Sequence, residues 1–79
     1  MNLEKYDECF IKTFDVKKDD LGEEFKFETV NNWDSLAHLN LIGEIEDSFG
    51  IILDTDDITH FGGYENGKKI LSKYNITIE

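Results

Sequence analysis

The residues best suited to chemistry lie together in "WDSLAHLNLIGEIEDSFG", residues 33–50. Asp34, Ser35 and His38 offer a hydroxyl nucleophile with an acid beside it and a base about one helical turn away. The helical arrangement argues against that use. At about 100° per residue, Leu41, Ile42, Ile45 and Phe49 share one arc of a helix, and His38 points into it near Ile42 and Ile45. A base turned toward the interior reads as a half-buried structural histidine. No strained elbow or oxyanion loop accompanies Ser35, and a chain of 79 residues has little left with which to enclose a pocket. The expectation is a protein that is not an enzyme.

Ser35 has a second use. Asp34 and Ser35 are both strong helix-start residues, so the plain reading is a serine that caps its helix. In the first helical position, however, it would sit among unsatisfied backbone N–H groups, a place that favours an attached phosphate. Leu36 falls on the opposite side from the apolar arc, beside Asn40, Gly43 and Asp47. An exposed leucine rimmed by carboxylates suits docking to a basic partner with an apolar pocket.

Charge narrows the partners. With 18 acidic and 8 basic residues the net charge is −10, which repels phosphate backbones and anionic lipid and keeps so small a body monomeric. Lys17-Lys18 and Lys68-Lys69 are too few for a nucleic-acid footprint. "DTDDITHFGGYE" places Asp54, Asp56 and Glu65 as in a calcium loop, but Ile58 and Thr59 stand where an oxygen ligand and a glycine belong. No metal site is expected. The single cysteine, Cys9, has no internal disulfide partner and reads as a packed thiol. The N-terminal residues contain no apolar secretory core and no apolar run reaches spanning length, so a cytoplasmic location without membrane insertion is expected.

The elements that position these residues follow from periodicity. Leu3, Tyr6, Phe10, Ile11 and Phe14 recur at helical spacing. A connection from Asp15 to Trp33 follows, unusually long for a compact domain, with Val16, Leu21, Phe25, Phe27, Val30 and Trp33 expected to anchor it on the core. Its "FKFETV" alternates, but no second run offers an obvious strand partner. The second helix starts at Asp34 or Ser35 and ends at Gly50. A short third helix is capped by Asp54 or Thr55 and stopped by Gly62-Gly63. "YENGKKILSKY" forms the last, with Tyr64, Gly67, Ile70, Leu71 and Tyr74 on one side. The expected fold is all-α, a single-domain bundle of three longer helices and one short one over residues 1–79.

"WDSLAHLNLIGEIEDSFGIILDTDDI" resembles the acyl carrier protein family around its prosthetic-group serine, and the likeness extends through "YENGKKILSKY", covering residues 33–74. The tripeptide Asp34-Ser35-Leu36, the acids Glu44, Glu46 and Asp47 before Phe49, and the short acidic third helix carry it. The resemblance implies a discrete carrier whose Ser35 receives 4′-phosphopantetheine from coenzyme A by a phosphopantetheinyl transferase. It further implies that acyl groups ride on that arm as thioesters and are presented to acyl-loading and acyl-processing enzymes with basic docking patches. Leu36, Glu46 and Asp47 become recognition residues, with Asp56 and Asp57 behind them. His38 is placed to line the mouth of an acyl cavity, formed where the core parts to shelter the chain.

Ala37 and Asn40 stand where many fatty-acid carriers have acids, and the chain lacks the proline common before the third helix. Asn32-Trp33 replaces the Gly-Gly pair frequent in peptidyl carriers. These departures leave fatty-acid, polyketide, aminoacyl and specialised acyl pathways open. The competing reading is an acidic helical interaction module with no prosthetic group.

Overall fold

Tyr6, Cys9, Phe10 and Phe14 recur at helical spacing, and helix α1 (Asn2–Phe14) buries all four. The computed structural model describes residues 2–79. It is all-α, with α1 followed by α2 (Ser35–Phe49), α3 (Thr55–His60) and α4 (Tyr64–Ser72). This is the expected set of three longer helices and one short one. One turn of 3-10 helix, Lys18–Asp20, interrupts the long connection between α1 and α2.

The helix ends have local causes. Asp34 is extended and its carboxylate accepts the Ala37 N–H at 2.9 Å, a cap worth about 1 kcal/mol. At the other end Gly50 takes a left-handed φ of 65°, and the N–H groups of Gly50 and Ile51 close on the Glu46 carbonyl. The last helix stops at Ser72, two residues short of Tyr74, where its expected stripe ended. Asn75, at φ 64°, reverses the chain there, so that Asn75 N–H reaches Ser72 O and Ile76 N–H reaches Leu71 O. The tail then runs back to α1, where Leu3 N–H donates to Glu79 O and Ile76 and Ile78 pack on the core.

Aromatic rings make up much of that core. Phe10 stands edge-on to Tyr6, Phe25, Trp33 and Tyr64, and Phe14 packs against Trp33 with ring centroids 4.9 Å apart. Leu41, Ile42 and Ile45 of α2 and Ile70 and Leu71 of α4 complete it. Between α1 and α4, Tyr6 Oη–H donates to Tyr64 O at 2.5 Å, and Tyr64 Oη–H donates to the buried Asp7 carboxylate. Both phenols are pushed well above the ordinary tyrosine range, first by burial.

The connection anchors much as its apolar residues require: Phe25 and Trp33 are buried, and Val16, Leu21 and Val30 pack against the core. Phe27 is the exception at 56% exposed. "FKFETV" does find a partner. Lys26 forms an antiparallel bridge with Gly63, with Phe27 N–H on Gly62 O and Tyr64 N–H on Phe25 O, both at 2.9 Å. The chain turns immediately after Lys26, so no strand continues and Phe27 is carried outward. A Cβ at Gly63 would lie 3.2 Å from Lys26 Cβ, so glycine gives this crossing its closeness.

Cys9 is buried on the α1–α2 seam, its Sγ 3.5 Å from Ser48 Oγ, and burial pushes its thiol above the ordinary cysteine value. Alkylation of the native protein at neutral pH is expected to be far slower than that of the denatured chain. Equal rates by timed mass spectrometry would show that this seam opens freely.

Candidate functional site

Asp34, not Ser35, caps α2, which leaves the serine exposed as the first residue of the helix. Ala37 N–H is held by the Asp34 carboxylate and His38 N–H by the Asp34 carbonyl. The amides of Ser35 and Leu36 precede the first intrahelical bond and face outward at the positive end of the helix dipole. An oxyanion on Ser35 Oγ fits there without displacing any buried group.

Beside Ser35 lies an open cleft of ≈ 720 Å³. Its walls come from three parts of the chain: Phe27 of the connection, Ser35 and Leu39 of α2, and the Gly62-Gly63 junction ahead of α4. The bridge between Lys26 and Gly63 holds the first wall against the third. Sequence reasoning missed this cleft, because it depends on where the connection crosses the α3–α4 junction.

His38 lies in the floor of the cleft and ties three elements together. Its Nδ1 is 3.0 Å from Trp33 Nε1 and its Nε2 is 2.6 Å from Ile58 O. The indole can only donate, so Nδ1 accepts, and the ring proton sits on Nε2, where it donates to the carbonyl. Both nitrogens are engaged, and neither remains to activate Ser35. The half-buried structural role read from the helical arc is the one this geometry describes.

Around the serine, Leu36 is 70% and Leu39 is 62% exposed. Leu36 follows Ser35 directly and Leu39 and Phe27 line the same cleft, although Leu39 and Phe27 were not read from the sequence as part of the site. The acids divide. Asp47 and Asp56 are exposed. Glu46 is half-buried and accepts the Leu53 N–H at 2.9 Å, so it also fixes the loop after α2.

Asp57 corrects an expectation. Read as a recognition acid, it is 6% exposed and turned inward. Lys73 Nζ donates to its Oδ1 at 2.5 Å and Tyr74 Oη to its Oδ2 at 2.6 Å, while Tyr74 Oη accepts the Asp54 N–H. A carboxylate so engaged ties α3 to the turn after α4 and is not available to a partner. The Lys73 bond, then the Tyr74 bond, hold its carboxyl below the ordinary aspartate value. The folded form therefore binds its proton less readily than the unfolded chain. Its stabilising contribution is present above about pH 4, the unfolded value, and is lost as pH falls through the depressed folded value. Asp57→Asn is expected to lower the unfolding midpoint at neutral pH and to lessen the loss of stability on acidification. Parallel acid-unfolding curves for the two proteins would contradict this.

Among the described residues no group of three or more His, Cys, Asp or Glu is placed to hold a metal ion, and no helix is long and apolar enough to cross a membrane. Compared with models of protein families, with curated proteins and with solved structures, the chain has no significant match.

Proposed function

We propose that this chain is an acyl carrier protein, a cytosolic carrier and not an enzyme, with 4′-phosphopantetheine attached to Ser35. The single observation that supports the reading most is a hydroxyl free of structural duty at an exposed helix start, within a segment that resembles the carrier family's attachment sequence. Asp34 holds the helix, so Ser35 can be esterified without loss of a cap. Transfer from coenzyme A forms the Ser35 Oγ–phosphorus bond, breaks the pyrophosphate and releases adenosine 3′,5′-bisphosphate, with the serine proton passing to the transferase. When bound, the arm supplies a thiol that holds an acyl group as a thioester at high effective concentration before each docked enzyme.

The chain's own residues do the rest. Leu36 offers the apolar contact next to the attachment point, and Asp47 and Asp56 offer negative charge to basic enzymes. Such charges speed encounter more than they hold the complex, which suits a carrier that must visit several enzymes. Glu46 contributes charge from a position it also uses for the fold.

The test is incubation with coenzyme A, magnesium and a broad-specificity phosphopantetheinyl transferase, followed by intact-mass measurement. The chain is expected to gain one phosphopantetheine. An unmodified mass beside a fully labelled control carrier would favour an acidic interaction module without prosthetic group. Turnover of activated esters by the unmodified chain, lost in Ser35→Ala, would favour a hydrolase.

A further inference from the structure

The cleft beside Ser35 and the seam beneath it bear on which cargo this chain can shelter, an inference that rests on the carrier reading above. Three observations converge. The floor is closed by His38, which joins α2 to α3 through Ile58 O and to the end of the connection through Trp33. Against the His38 ring lies Trp33, which is itself packed ring against ring with Phe10, Phe14 and Phe25, with centroids 4.9 to 6.2 Å apart. Rings in such contact do not part for an alkyl chain without loss of packing. Phe27 and Leu39 present exposed apolar surface to the cleft, a space of small-ligand size.

We propose that Phe27 and Leu39 receive a short acyl group in the outer cleft, and that His38 keeps longer chains out of the helical interior. The occupant is the cargo carried from Ser35 itself, because the attachment serine lines the same cleft. Glu23, Glu28, Asp34 and Glu65 against Lys26 make the surrounding potential negative, which disfavours acyl groups ending in a carboxylate.

The experiment loads Ser35 with a butanoyl or a dodecanoyl arm from the corresponding coenzyme A thioester, confirms each product by intact mass, and records NMR spectra against the unacylated holo protein. The butanoyl form is expected to shift resonances of Phe27, Leu39 and Gly62. Both forms are expected to leave Leu41, Ile45 and Leu71 unchanged. In Phe27→Ser and Leu39→Ser, surface changes that leave the core intact, the butanoyl-dependent shift at Gly62 is expected to fall or vanish. In His38→Ala, compared with its own unacylated form, the dodecanoyl arm is expected to shift the Trp33 ring that His38 covers. Core shifts in the wild-type dodecanoyl form, or an undisturbed Phe27 and Leu39 in the butanoyl form, would overturn the proposal while leaving the carrier reading intact. A chain that accepts no arm from the transferase would remove both.

Discussion

Gly67→Ala is expected to be among the most destabilising single-methyl changes in this protein. Gly67 is buried in α4 opposite α1. A Cβ there would overlap the Tyr6 hydroxyl oxygen and lie 2.5 Å from Phe61 Cζ. Neither neighbour can yield easily. Tyr6 is fixed by its bond to Tyr64 O, and both Tyr6 and Phe61 are fully buried. Alanine ordinarily gains about 1 kcal/mol over glycine inside a helix, but overpacking costs about 1–3 kcal/mol and is expected to win here. Each net 1 kcal/mol moves the midpoint of so small a domain by about 4–8 °C. Thermal unfolding by circular dichroism is the measurement. A variant more stable than wild type would mean that α1 and α4 are less closely packed at this point.

Ser35→Ala is the expected opposite: complete loss of modification with the fold almost unchanged. Asp34 makes the capping bond, and Ser35 is exposed, so removing its hydroxyl affects no buried partner. Asp34→Ala separates the two roles. It leaves the Ala37 N–H without its acceptor and is expected to cost about 1 kcal/mol of stability while retaining the attachment hydroxyl. Thermal unfolding and intact mass after transferase treatment, run on both variants, distinguish a serine kept for attachment from one kept for helix stability. If Ser35→Ala loses as much stability as Asp34→Ala, the attachment argument loses its structural support.

Much of this was legible in the sequence because it depends on short-range patterns. The three longer helices follow from apolar spacing, the start of the short one from Asp54, and the limits of α2 from Asp34 and Gly50. The exposure of Leu36 and the inward direction of His38 follow from rotation along one helix. What stayed hidden depends on contacts distant in the chain. Phe27 and Phe25 are alike in sequence, and only the crossing at Gly63 carries one outward and leaves the other in the core. Asp56 and Asp57 are adjacent aspartates, yet Lys73 and Tyr74 draw one of them inside. Gly67 reads locally as a weak helix residue, and its reason emerges only when Tyr6 and Phe61 lie across from it. The cleft beside Ser35 is hidden for the same cause, since its walls come from three separated segments.

The most direct measurement is the intact mass of this chain isolated from the cells that make it, with the modified peptide sequenced. The expected result is an increment of one phosphopantetheine, with or without acyl cargo, on the peptide containing Ser35. An unmodified polypeptide mass under every growth condition, in cells whose other carriers are modified, would contradict the assignment of Ser35 as an attachment site.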